Sequence, residues 1–163
     1  MPQFKKYSLA HNMGSKLSTL VFQPPEVTYS HAKRHIIWLR TLKNASIPAF
    51  FIDRQSKVTL LFSHGNAEDI GMIYEWFLEF SLELRVNVLA YDYEGYGKAG
   101  GVPTEETCYD DIDAAYEYLT DGLRIPSEHI VLYGRSLGSG PSCYLAERLH
   151  KEQVKIGGLI LQV

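Results

Sequence analysis

The chain has 163 residues, of which 45% are hydrophobic and 21% charged, with a formal net charge of −3. That length suffices for one domain with a real core, and the slightly acidic balance argues against nucleic-acid binding, which usually shows a basic surplus. Two cysteines, Cys108 and Cys143, make neither a disulfide framework nor a zinc site, so a reducing, cytoplasmic compartment is expected, with both as small buried side chains.

Lys5 and Lys6 have no apolar stretch behind them, so no signal peptide is read. No run approaches the roughly 18 apolar residues of a membrane span. Met13 to Ser18 fits a myristoylation pattern only for a chain begun at Met13. Residues 1–30 read as an irregular lead-in in which Pro24-Pro25 disfavours helix, with Lys16 to Phe22 able to pack an apolar edge on the domain. Ile36–Leu39 and Ala49–Ile52 are short strand candidates separated by the turn-like Lys43–Ser46 and bounded by Pro48, an antiparallel opening pair. Val58–Phe62 is nearly all apolar, as in a strand buried on both faces. From Ile70 to Leu84 apolar residues recur at helical spacing, with Ile73, Trp76, Phe77, Phe80 and Leu84 on the stripe.

Val86 to Tyr91 forms the next strand and a glycine loop, Glu94 to Gly101, follows. Thr104 is placed as an N-cap, with Glu105 and Glu106 favouring the positive end of a helix that runs to about Thr120. Ile112, Ala115, Tyr116 and Leu119 share one stripe of that helix. Ile130–Tyr133 is a strand, Ser139–Leu149 a helix, and Ile156 onward one more apolar strand. Strand and helix alternate from Val58, which implies a mostly parallel sheet with helices on both faces, the α/β class. Ligands bind such sheets beyond the carboxyl ends of the strands. There the chain places Ser63-His64-Gly65-Asn66, Asp92 to Gly97, and Gly134-Arg135-Ser136-Leu137-Gly138. Neither phosphate-binding glycine pattern is present.

The last of these loops is a G-x-S-x-G segment between strand and helix, the context of a nucleophile elbow. Gly134 and Gly138 are expected where a Cβ would clash as helix and strand approach. A serine hydroxyl needs a base to take its proton and donors to hold the oxyanion. The Leu137 N–H is one such donor. The turn at Gly65 aims a second into the site, the N–H of Asn66 ahead of that of Ala67. Tyr93, Tyr96 and Ile70 are candidates for an entrance, with core packing the preferred reading.

These blocks, in this order and spacing, resemble the α/β-hydrolase superfamily from Leu17 to Leu161. The resemblance is closest to its domain-17 branch, whose members remove palmitate from cysteines of membrane-associated proteins. It is carried by Lys16-Leu17 with Pro24 to Tyr29, Leu61 to Ala67, Tyr91 to Gly97, Tyr109 to Ala115 and Ile130 to Gly138. It implies an α/β-hydrolase fold over 31–163 and a serine hydrolase of acyl esters or thioesters, above all a palmitoyl-protein thioesterase. Ser136 would be the catalytic nucleophile and Leu137 and Asn66 the oxyanion hole, with His64, Gly65, Gly134 and Gly138 as structural support. The implied substrate is an acylated protein or a small acyl ester, with no metal and no cofactor. Peripheral membrane association follows from the same resemblance, although Met1 to Gln23 lacks the cysteines through which that branch is acylated. A catalytically silent binding protein, an esterase and a serine peptidase on the same fold are the alternatives. No oligomeric state is specified.

In this fold the triad runs serine, acid, histidine, so His64 is expected to brace its turn rather than act as base. Only 27 residues follow Ser136, and the acid and histidine loops belong after two later strands. His150 lies about 21 Å down the elbow helix, His129 opens the elbow strand at the opposite sheet edge, and Asp92 belongs to a structural loop. No triad assembles, so the chain reads as a fragment, incomplete at the C-terminal end of the fold, inactive alone and leaving its last strand as an apolar edge.

Overall fold

The computed structural model describes residues 21–30 and 35–163. The Met13 to Ser18 pattern, Lys16-Leu17, His11 and His31 lie outside them, as does the junction at 30/31. A six-stranded sheet is formed by β1 (Ile36–Arg40), β2 (Ser46–Ile52), β3 (Thr59–Ser63), β4 (Asn87–Tyr91), β5 (Ile130–Arg135) and β6 (Gly158–Gln162), in the order β1-β2-β4-β3-β5-β6. β1 and β2 are antiparallel, as are β2 and β4, whereas β4, β3, β5 and β6 run parallel.

Alternation along the strands divides the core. Phe50, Leu60, Phe62, Val88 and Ala90 meet Ile70, Ile73 and Phe77 of α1 (Ile70–Leu84). Leu61, Leu89, Tyr91 and Leu132 meet Ile112 and Ala115 of α2 (Glu105–Glu117), and Leu145 and Leu149 of α3 (Ser139–Lys151). Successive side chains of a strand face opposite ways, so the near-continuous apolar runs of β3 and β4 feed both cores. The helices therefore cover both faces. Tyr93, Tyr96 and Ile70 are fully buried in these cores rather than at an entrance.

Three local expectations are corrected. Pro48 lies inside β2 opposite Trp38, not at its boundary. The β2–β4 ladder ends at the Ala49–Tyr91 pair; the Pro48 carbonyl still accepts the Asp92 N–H at 2.9 Å, and the missing proline N–H costs only the reciprocal bond at that end. The buried stripe of α1 is Ile70, Ile73, Phe77 and Ser81, with Trp76 and Leu84 47% and 57% exposed. Ser81 belongs inside because its Oγ accepts the Arg54 Nε–H at 3.0 Å and donates to the Leu78 carbonyl at 3.1 Å. Trp76 instead stacks on Phe80 at the rim. Cys108 is buried as expected, but Cys143 is exposed on α3.

The helix starts follow their caps. Asp69 accepts the Met72 N–H of α1 at 3.0 Å, and Thr104 forms a capping box with Thr107 at α2. α2 then loosens into a π-helical turn over Tyr118–Gly122. β6 stands at the end of the sheet with Leu159, Ile160 and Leu161 40–46% exposed. Among the described residues, no helix is long and apolar enough to cross a membrane.

The lead-in has no regular element over residues 22–30, yet it is fastened to the domain. Asp69 accepts the Thr28 N–H at 2.8 Å and the Thr28 hydroxyl at 2.5 Å. Tyr29 is buried and its hydroxyl donates to Asp92. Burial, reinforced by the Asp92 charge, pushes that hydroxyl far above the usual phenol range.

Asp111 on α2 is, with Asp69 and Asp92, a third fully buried carboxyl among the described residues. One oxygen accepts the Glu94 N–H at 2.8 Å; the other has no hydrogen-bond partner among the described residues. Burial raises its pKa from 3.8 to about 8, against the opposing effect of the Glu94 N–H. The native state thus keeps a proton that the unfolded chain releases. The stability this contributes is full below the unfolded value and is lost as pH rises through about 8. Asp111→Asn should flatten that decline, with a melting-temperature advantage over the parent that grows from pH 5 to pH 8 in a thermal-unfolding series.

Candidate active site

Register brings three loops to one sheet edge. Ser63 pairs with Tyr91 on one side and Gly134 on the other. The segments that leave β3, β4 and β5 therefore emerge side by side, where α/β sheets bind ligands. Among the described residues no His, Cys, Asp and Glu cluster is arranged to hold a metal.

β5 ends at Arg135, and the chain turns through a single 3-10 turn, Ser136–Gly138, into α3. Ser136 is exposed and has φ +49°, a left-handed conformation that L-residues other than glycine rarely adopt. Both neighbouring glycines are required by close approach. A Cβ on Gly134 would lie 2.5 Å from the Gly138 oxygen, and one on Gly138 would lie 2.0 Å from the Ser63 oxygen and 2.9 Å from that of His64. The backbone leaving β3 is thus in contact with the backbone that starts the elbow helix.

In the loop after β3, His64 is fully buried against the rings of Tyr93 and Tyr96. Its Nδ1 lies 2.8 Å from the Gly65 oxygen, and its Nε2 lies 3.4 Å from Asp92 Oδ1. Nδ1 is thus engaged within the loop, whereas Nε2 is buried beside Asp92 without a hydrogen bond among the described residues. The His64 carbonyl accepts the Tyr93 hydroxyl at 2.7 Å. Gly65 does not use a left-handed backbone; that conformation falls to Ala67, with φ +56°. What Gly65 leaves room for is a carboxylate, since a Cβ there would lie 3.0 Å from Glu68 Oε2.

Asn66 is held through its side chain. Nδ2 donates to the Val21 carbonyl at 2.6 Å, and Oδ1 accepts from the Gln23 N–H at 2.8 Å and the Tyr96 hydroxyl at 2.7 Å. Oδ1 also takes the Ala67 N–H at 3.2 Å. Among the described residues, no backbone acceptor takes the Asn66 N–H. A trans peptide points its N–H opposite its C=O. With the Gly65 carbonyl facing the His64 ring, the Asn66 N–H faces away from that ring.

The elements also separate residues. His129 precedes β5 and His150 lies near the end of α3, both at the sheet edge opposite the elbow. His35 stacks on Tyr74. Sequence reasoning missed Glu68 and Arg135, which join the β3 loop to the elbow through contacts at 2.7 and 3.1 Å. A carboxylate four residues after His64 and an arginine inside the G-x-S-x-G were the available signal.

A parallel sheet flanked by helices, with an exposed left-handed serine on a strand–turn–helix junction, defines an α/β-hydrolase. The hydrolase family described as "Serine aminopeptidase, S33" matches residues 54–162, and the chain belongs to it. Alpha/beta hydrolase domain-containing protein 17B of Homo sapiens is 33% identical over 169 residues, an alignment covering 86% of this chain and 59% of the relative. The protein of that name in Xenopus tropicalis gives the same figures. The chain thus spans about 59% of the length of these relatives. Among solved structures, the Pyrococcus furiosus esterase Pf2001 is 25% identical with a TM-score of 0.64, covering 83% of this chain and 53% of the esterase. An alpha-beta hydrolase from Vibrio vulnificus shares the fold with a TM-score of 0.69 at 17% identity, covering 98% of this chain and 58% of that one.

The elbow contact makes a sharp stability prediction. Gly138→Ala forces a methyl into the Ser63 carbonyl and should cost about 3 kcal/mol or more. Gly140→Ala, two residues on, meets nothing within 4 Å and should stabilise α3 by roughly 0.5–1 kcal/mol. Urea unfolding of the two variants checks both signs.

Proposed function

We propose that this protein is a serine hydrolase of acyl esters or thioesters, acting on acylated proteins in the manner of a palmitoyl-protein thioesterase. The observation that carries the proposal is Ser136: an exposed hydroxyl on a left-handed elbow, which only two close-approach glycines permit. Such strain at a serine is a recurrent feature of nucleophiles held clear of their own backbone.

In this reading Ser136 Oγ attacks the acyl carbonyl, and the thiolate or alkoxide leaves with a proton returned by the general base. The Leu137 N–H and the Asn66 N–H receive the oxyanion. Asn66 is favoured over Ala67 because the Ala67 N–H is engaged by the Asn66 side chain. Losing one such donor costs about 2.7–4 kcal/mol in a protease where it has been removed. His64 serves as a brace, with Nδ1 against the Gly65 carbonyl and Nε2 buried 3.4 Å from Asp92 without a hydrogen bond among the described residues. None of His35, His64, His129 and His150 stands where it would take the proton, so the proposal concerns the whole protein. Residues 31–163 are read as the part of the hydrolase domain that carries nucleophile and oxyanion donors. Likeness to the domain-17 proteins supports the acyl-protein substrate and a peripheral place at membranes. The family description favours a peptidase as the second reading.

A fluorophosphonate probe on the full-length protein tests the first step. Labelling should occur and vanish in Ser136→Ala, and an S-palmitoyl peptide should be turned over well above the Ser136→Ala background. Label retained in Ser136→Ala would refute the nucleophile, and turnover of amides but not thioesters would favour the peptidase.

A further inference from the structure

We propose that Glu68 and Arg135 form a positioning bridge that sets the distance between the oxyanion-donor loop and the elbow serine. This rests on the reading of Ser136 as nucleophile. A single oxygen, Glu68 Oε2, accepts the Gly65 N–H at 2.7 Å, the Arg135 Nη2–H at 2.7 Å and the Arg135 Nε–H at 3.1 Å. Arg135 immediately precedes Ser136 in the chain, and Gly65 immediately precedes Asn66. The carboxylate is therefore one residue removed from each half of the proposed machinery.

The arrangement has the marks of a built contact. The two side chains are only 25% and 26% exposed, so solvent screens them less than a surface pair. Hydrogen bonds to an ionised carboxylate are shorter and stronger than neutral ones. The Arg135 guanidinium is also fixed from below, 5.2 Å over the ring of Phe62 on β3, which limits where the arginine can carry the carboxylate. The absent side chain at position 65 is the room the carboxylate needs.

The loop around Gly65 is then held from two sides. The Gly65 N–H is taken by Glu68, and the Gly65 carbonyl faces His64 Nδ1. The first contact fixes the 64–65 peptide and the second the planar 65–66 peptide that carries the Asn66 N–H, so the two units flanking the Gly65 Cα are both held. Releasing the Glu68 end frees the 64–65 peptide, and rotation about the Gly65 backbone bonds then lets the 65–66 peptide shift against the elbow. A loss of a few tenths of an ångström in donor placement acts on the transition state more than on substrate binding.

The test uses Glu68→Gln, Arg135→Gln and the double variant of the full-length protein, with two readouts. Amide hydrogen exchange over residues 64–67 should rise in each variant without a comparable fall in melting temperature. Turnover of an S-palmitoyl peptide should lose about tenfold in kcat with KM little changed, and the double variant should fall no further than the worse single, as expected for groups that act as one unit. Arg135→Lys should recover part of the loss. Unchanged exchange at 64–67, additive kcat losses, or an effect on KM alone would overturn the bridge. Raised exchange in the variants, with a parent protein that fails to label at Ser136, would overturn the nucleophile reading, and the bridge's catalytic role with it.

Discussion

Everything at the carboxyl edge of the sheet hangs on one buried carboxylate, Asp92. It is fully enclosed at the end of β4, where an ion is tolerated only if donors surround it. Ile70, the first residue of α1, donates its N–H to Oδ1 at 2.8 Å, and Tyr29 donates its hydroxyl to Oδ2. His64 presents Nε2 to Oδ1. Gly97 closes the fourth side with φ +50° at a spot where a Cβ would lie 1.9 Å from Oδ2. The lead-in, the β3 loop, the start of α1 and the loop after β4 are thus gathered by a single group. The helix N-terminus adds its partial positive charge to the same point.

With that edge fixed, the elbow becomes affordable. Left-handed backbone costs an ordinary residue about 1–2 kcal/mol, and Ser136 has no glycine's freedom to avoid it. The cost is offset by the contact it permits: α3 sits directly on the backbone leaving β3, through Gly138 and Ser63. Rigidity and the exposure of the serine have one origin here. The geometry that projects the hydroxyl outward is the geometry that packs the helix inward.

Much of this was legible in the residues. Short apolar runs marked β3 and β4, and apolar residues at helical spacing marked α1 and α2, because these elements are buried on defined faces; the α1 limits at Ile70 and Leu84 agree with the structure. The three loop ends followed from the strand ends. Trp76 misled because a large aromatic at helical spacing looks internal, whereas burial went to Ser81, whose hydroxyl found Arg54. Pro48 misled because its damage depends on which rung it occupies, which only pairing decides. Glu68 and Arg135 were invisible for a related reason. Their meeting depends on register across β3 and β5, and a charged residue in a loop reads as solvated until its partner is placed.

The Tyr29 fastening has a consequence for how the molecule breathes. Tyr29 and Asp92 are 63 positions apart, so Tyr29 can dock only after β4 and its loop exist, late in any folding sequence. The reverse event is equally constrained. Were the strap to lift, water would reach a carboxylate that also holds the first turn of α1 and faces His64. Local opening of residues 22–30 is thereby tied energetically to the loops that leave β3 and β4. Residues 22–30, which carry no helix or strand, are thus coupled to the buried centre of that edge.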